Sequence, residues 1–315
     1  MARRRLYWLG CLLLIGIGGC RQKEPDSPLS TPTSGQVAMV VDEAFRPLIS
    51  AEIQAFEQIY PQASITGTYD SEGKAIQQLL QNRASLVVVG RKLYPEELQA
   101  LEAQKIVPQQ VKAAVDGIAL ILNRTNPDTL FSYQEVVDLL RGNLNSWSSR
   151  PGGLSQDQVQ LVFDHSQSGI IQWLKDSIAH TDTLPDYCFA LNDHEEVINY
   201  VTQNPQALGL IGVSWISDQD DSTVNRFLRQ IRVAAIAPRQ AEDSSHYYQP
   251  YAAYLAQRKY PLTRDIYLIS REARAGLASG FTAFVCGDKG QRIVLKSGLV
   301  PATMPIRIVQ LVSEY

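Results

Sequence analysis

Three short runs of apolar and β-branched residues, at 36–41, 64–69 and 86–89, are each followed within a few residues by helically spaced apolar side chains. That alternation constrains the fold more than any other feature of the 315-residue chain. Strand and helix alternating in this way predict a parallel sheet covered by helices. The first helical pattern runs through Phe45, Leu48, Ile49, Ile53, Phe56, Ile59 and Tyr60, with Asp42 placed as N-cap and Pro61 as the stop. The second covers 74–82, with Ile76, Leu79 and Leu80 on one side, and the third covers 95–104.

The remainder reads as a second unit of the same kind. Strands are expected at 111–123, 159–163, 207–213, 231–236 and 265–270, and helices at 133–140, 166–178, 195–202, 276–286 and 289–297. The expected fold class is therefore α/β, two doubly wound units in tandem, with a C-terminal tail returning to the first. In such sheets ligands bind beyond the carboxyl ends of the strands, where helix N-termini point. Two units facing each other would converge several sets of free N–H donors on one cleft, a route to anion binding that needs no basic protein. The net charge is −3 and the pI about 5.9, so nucleic acid is not an expected partner.

The N-terminus carries its own information. Arg3, Arg4 and Arg5 precede an apolar stretch at 6–17, broken by Gly10 and Gly16 and too short for a membrane-spanning helix. Ile17-Gly18-Gly19-Cys20 then resembles a bacterial lipobox, against the alternative of a plain signal peptide with an incidental cysteine. The expectation is a signal peptide at 1–19, lipid on Cys20, a Pro/Ser/Thr-rich flexible tether over 20–35, and a folded part held at a membrane surface outside the cytoplasm. Cys188 and Cys286 remain, far apart in the proposed topology and expected to be unpaired. Four histidines and no Cys-x-x-Cys or His-x-x-x-His give no expectation of a metal or cofactor.

Four segments are candidates for the site. Asp164-His165-Ser166-Gln167-Ser168-Gly169 brings a strand to a helix start, where the Ser168 hydroxyl and the amides of Ser168, Gly169 and Ile170 could face one anion; the plain reading is a serine N-cap. Tyr69-Asp70-Ser71-Glu72-Gly73 follows the same logic through Ser71. Arg91, at the carboxyl end of the third strand, offers a guanidinium fork suited to phosphate, or else pairs with Glu96 or Glu97. The amides of Ala44 and Phe45 could complete a cage, although Asp42 and Glu43 favour ordinary capping there. His165 between Asp164 and Ser166 raises a remote hydrolase alternative. Triad members normally come from separate elements, and neither a nucleophile elbow nor a phosphate-binding P-loop is present, so no catalytic residue is assigned.

Several segments together resemble a known family. They are Asp42-Glu43-Ala44-Phe45-Arg46-Pro47, Val88 to Leu93 with Glu96-Glu97, Asp116-Gly117-Ile118-Ala119, Gly142-Asn143 to Trp147, Ser168-Gly169, Gly209-Leu210-Ile211-Gly212 and Tyr260-Pro261-Leu262-Thr263-Arg264. In concert they are similar to the phosphate-binding proteins of bacterial phosphate ABC importers. The resemblance implies a type II periplasmic-binding-protein-like fold, with 36–115 plus 262–315 as lobe one, 116–261 as lobe two, and two hinge crossings near Ala114-Val115 and Tyr260. It implies inorganic phosphate as ligand, closure on binding and ABC permease subunits as partners; a sensor or a binder of another small oxyanion is the alternative. By match, Ser71, Ser168 and Gly169 fall on ligand-binding positions. Ile170 stands where the motif has threonine, and Asp164 where it usually has arginine. Arg91 is then expected to supply the missing charge, and Asp164 to accept the proton of a protonated phosphate oxygen, which would disfavour sulfate-like anions.

Overall fold

A computed structural model describes residues 30–149, 158–218, 220, 222–239 and 246–304. The expected signal peptide, Cys20 and residues 20–29 of the tether lie outside the described residues. Chain order is β1 (Gly35–Asp42), α1 (Arg46–Ile59), β2 (Ala63–Asp70), α2 (Glu72–Leu80), β3 (Leu86–Val89), α3 (Pro95–Ala103), β4 (Gln109–Asn123), β5 (Leu130–Phe131), α4 (Tyr133–Arg141) and β6 (Gln160–Asp164). It continues with α5 (Gly169–Leu174), β7 (Cys188–Leu191), α6 (His194–Gln203), β8 (Ala207–Gly212), α7 (Ser214–Ser217), α8 (Ser222–Gln230), β9 (Ile231–Val233) and β10 (Ala235–Ile236). Last come α9 (Ala252–Ala256), β11 (Thr263–Ser270), α10 (Leu277–Val285), α11 (Asp288–Lys296) and β12 (Val300–Pro301).

The main sheet runs β2-β1-β3-β11-β4-β8-β6-β7, with β12 and β9 also pairing with β4. β1 pairs in parallel with β2 and β3, and β6 pairs in parallel with β7 and β8, so each half has the parallel core that strand-helix alternation dictates. β4 joins the halves. Its residues up to Gly117 pair with β11, and its residues from Ile118 pair with β8 and β9. The change of partner falls at Asp116–Ile118, where the Ile118 N–H bonds to Leu262 O at 2.9 Å. The two-lobed, type II periplasmic-binding-protein-like α/β architecture is thus present.

The core follows the pattern of the strands. β3 is buried along its whole length, as a central parallel strand must be. Val40, Val87, Val89 and Ile269 pack with Ala75, Ile76 and Leu79 of α2 on one face of the first half. Met39, Val41 and Val88 pack on the other face with Phe45, Leu48, Ile49 and Phe56.

Several local expectations are corrected. The helix expected over 166–178 begins only at Gly169, because Ser166–Ser168 form a turn closed by the Ser168 N–H bond to His165 O. It ends in a π-helical turn, Lys175–Ala179. The strand expected at 231–236 is split into β9 and β10, which pair with different partners. β7 and α8 are additions to the expected elements: β7 is four residues long, and α8 is a mostly polar helix with Val224 and Phe227 as its buried side chains. Residues 30–35, counted with the tether, are fixed to the fold: Thr31 bridges to Ser34, and Ser30 Oγ accepts from the Leu277 N–H at 3.0 Å. Cys188 and Cys286 are both free thiols.

Candidate binding site

The carboxyl ends of β1, β3 and β6, the starts of α2 and α5, and one residue each from β4 and β11 meet between the two halves. Asp42 closes β1. Its Oδ1 accepts the Ala44 N–H at 3.2 Å and so caps the 3-10 turn Glu43–Phe45. Glu72 opens α2 and turns inward: Oε2 accepts the Gly90 N–H at 2.8 Å, and Oε1 accepts from Arg91 Nε at 3.0 Å. Arg264 on β11 stands opposite Asp116 on β4 in the strand register. The two side chains pair, Nε to Oδ2 at 3.1 Å, and Arg264 Nη1 lies 3.5 Å from Asp42 Oδ2. The Arg264 side chain is fully buried; its guanidinium lies over the Phe45 ring at 4.5 Å and leaves Nη2 without a partner.

From the other half, Asp164 ends β6 and accepts the Ser168 hydroxyl on Oδ1 at 2.6 Å; Oδ2 has no partner. Ser168 Oγ in turn accepts the Ile170 N–H and caps α5. Gly169 faces Asp42 and Glu72 directly: a methyl group built there would collide with Asp42 Oδ2 and lie 2.9 Å from Glu72 Oε2. Only glycine allows the halves to approach this closely. Ser214 Oγ to Ala44 O at 3.4 Å, and Tyr94 Oη to Asp176 Oδ2 at 3.0 Å, also bridge the halves. The crevice is closed.

Its electrostatics are unusual for an anion site. Asp42, Glu43, Glu72, Asp116 and Asp164 are all buried, and their main cationic partners are Arg264, Arg91 and Arg46. Burial pushes the Asp164 carboxyl up to about 8, with Asp42 adding to the rise and the Ser168 hydroxyl opposing it. Burial raises Asp42, Glu72 and Asp116 as well, against Arg264 for the first and last; for Glu72 the Asp42 charge adds and Arg91 opposes. Glu43 is pushed up to about 7 by burial despite its fork with Arg46. His194, stacked on Trp215, has its imidazole held well below the ordinary range by burial first and by Arg264 next. At neutral pH, Asp164 therefore carries a proton while His194, with Nδ1 4.0 Å from Asp164 Oδ2, is neutral.

The structure brings Ser168, Gly169, Asp164, Ala44 and Phe45 together with Glu72, and Ser71 directly precedes that residue. Ser71 is not an ordinary cap: it holds the N-cap position of α2, yet its hydroxyl is buried without a partner. Ser168 is an ordinary cap, and its hydroxyl is spent on Asp164 and Ile170. Ala44 N–H is spent on Asp42, and the Phe45 ring carries Arg264. Arg91 sits at the crevice rim, pairing with Glu72 and Glu97 and lying over the Tyr94 ring at 3.6 Å. Its charge is thus committed within its own half. Arg264 supplies the buried charge instead, and it lies in the segment Tyr260–Arg264 that helped carry the family resemblance. The inward turn of Glu72 and the burial of His194 left no signal in the sequence. Burial favours the protonated form of Asp164, in which one carboxyl oxygen donates and the other still accepts. Ser168 binds Asp164 and not His165, so the residues of the hydrolase alternative do not assemble as a relay.

Two doubly wound halves enclosing a buried polar crevice at the carboxyl ends of their strands define the class of periplasmic-type solute-binding proteins. A family description, PBP superfamily domain, matches residues 26–289, and the chain belongs to that family. Among similar proteins is the phosphate-binding protein PstS of Pseudomonas aeruginosa, 22% identical over 302 residues, covering 91% of this chain and 88% of that protein. The PstS of Staphylococcus aureus is 20% identical over 289 residues, covering 90% and 83%. A crystal structure from Clostridium perfringens with bound phosphate superposes with TM-score 0.71 at 20% identity, covering 85% of this chain and all of that one. An ABC-type phosphate transport receptor from Vibrio cholerae superposes with TM-score 0.62 at 16% identity, over 85% of this chain and 100% of that one. Among the described residues no helix is long and apolar enough to cross a membrane.

Proposed function

We propose that the chain is an extracytoplasmic solute-binding protein that captures inorganic phosphate between its lobes and delivers it to the permease subunits of an ABC importer. The observation that carries this reading is the buried crevice where Ser71 Oγ and Arg264 Nη2 stand without partners at the mouth of two helix N-termini. An unpaired buried guanidinium N–H costs stability unless something accepts from it, and an oxyanion would. The similar proteins named for phosphate binding agree in fold and nearly full length. Ligand contacts are assigned to Ser71, Arg264 and Gly169, with Ser168 capping the helix that presents Gly169, Asp164 as proton donor and Arg91 positioning Glu72 at the rim.

The proposed lobes are 36–115 plus 262–315 and 116–261, with the crossings at β4 and just before β11; residues 305–315 lie outside the described residues. Lipid on Cys20 would hold the protein at a bacterial membrane, and the protein carries solute without converting it. A second reading, capture of another small oxyanion, is favoured by one observation: the acids Asp42, Glu72 and Asp164 crowd the crevice, and Asp164 stands at the arginine position of the family motif. Calorimetry of the chain with phosphate, sulfate and molybdate separates the two. Phosphate binding abolished by Arg264→Met is the expected result. Heat with sulfate or molybdate but none with phosphate overturns the first reading.

A further inference from the structure

Glu72 is the first residue of a helix, a position where an acidic side chain ordinarily stays in water beside the free amides, yet only 4% of it is exposed. Its carboxylate lies between the halves of the molecule. Two donors of the first half, the Gly90 N–H and Arg91 Nε, converge on its two oxygens, and Gly169 of the second half closes over it. This is the geometry of a bound oxyanion: a backbone amide and a guanidinium on one side, a glycine at a helix start on the other. The anion, however, belongs to the chain. Elsewhere in the crevice, Ser71 Oγ, Arg264 Nη2 and Asp164 Oδ2 are fully buried and unpartnered. A planar carboxylate with two oxygens satisfies two donors and leaves the others idle, whereas a tetrahedral anion has oxygens to spare for them.

We propose that Glu72 is an internal anion: its carboxylate occupies the oxyanion seat, holds the solute-free crevice shut, and must be displaced before solute is captured, so that it determines which anions bind and how tightly. A cavity of about 380 Å³ at the crevice mouth, lined in part by Gly73, Arg91, Gln167 and Lys175, receives the displaced side chain. Two anions cannot share the seat, because like charges at contact distance in a site of low polarity repel strongly. Only a solute that recruits the idle groups as well as those held by Glu72 outcompetes it. The binding part of this inference rests on the phosphate reading above; the closure part does not.

Small-angle scattering of the full chain without added solute tests the closure part. Wild type is expected to be compact, Glu72→Ala to have a larger radius of gyration, and Glu72→Gln, which keeps the shape but loses the charge, to lie between them. If both variants scatter as wild type does, the inference is wrong. Phosphate titrated calorimetrically into wild type and Glu72→Ala tests the binding part. The variant is expected to bind about tenfold tighter or more, and phosphate should compact it while barely changing wild type. Where wild type binds phosphate, equal or weaker binding by Glu72→Ala overturns the inference. Expansion of the variant with no phosphate binding by either protein leaves the internal anion standing and removes phosphate as the solute.

Discussion

Glu52 offers the sharpest energetic test of the structure. It lies on the inner face of α1 between Ile49 and Phe56, fully buried, and neither carboxyl oxygen has a hydrogen-bond partner. Burial alone pushes this carboxyl from 4.5 up to about 9. The folded protein therefore holds Glu52 protonated, while the unfolded chain releases the proton above its ordinary value. The sign follows: stability is fully present below pH 4.5 and declines as pH rises toward 9, by roughly 1.4 kcal/mol per pH unit. At pH 7.5 the accumulated cost is about 4 kcal/mol. Glu52→Leu removes that cost and adds apolar burial, against a repacking strain of roughly 1 kcal/mol. The net expectation is a gain of about 3 kcal/mol at pH 7.5, shrinking to near zero at pH 5, which for a chain of this size raises Tm by roughly 5 °C at the higher pH. Urea denaturation of both proteins at pH 5, 7.5 and 8.5 measures it. A stability difference that does not grow with pH, or a variant less stable than wild type at pH 8.5, would refute the reasoning.

Other expectations concern the crevice. Gly169→Ala should prevent closure, because the new methyl meets Asp42 and Glu72; scattering should show an expanded protein and calorimetry a loss of solute affinity of about tenfold or more. Arg264→Met leaves Asp42 and Asp116 buried without their cation and should lower stability by about 3–5 kcal/mol, read by chemical denaturation. Between pH 7 and 8.5 the melting temperature of wild type should fall. Asp164, raised to about 8, sheds the last of a contribution that declines from about pH 4 upward, and Glu52 declines alongside it, while His194, depressed when folded, is neutral in both states and adds no slope. Asp164→Asn should flatten that part of the profile.

How much was readable in advance differs between fold and site. Runs such as Leu86–Val89 announce central strands because a strand covered on both faces must be apolar throughout. Asp42 announced a cap, and Gly169 a close approach, because each role is local in the chain. Arg91 illustrates the opposite case. Its position at a strand end and its pairing with Glu97 were readable, but its pairing with Glu72 was not, since Glu72 is 19 residues away in sequence. The burial of Glu52 escaped notice because one acid in an apolar helical stripe looks like a surface residue until a second layer of helices covers it.

By itself, the order of residues determined the alternation of strand and helix, the two tandem units, and the hydroxyls and glycine at the helix starts, all of which depend on neighbours within a few positions. Tertiary structure alone decided which charges share the crevice. Arg264 meets Asp42 across 222 residues of chain, and Glu72 meets Gly169 only where the halves close. Charge pairing and desolvation depend on distance in space and on exclusion of water, and neither is written in the spacing of residues along the chain.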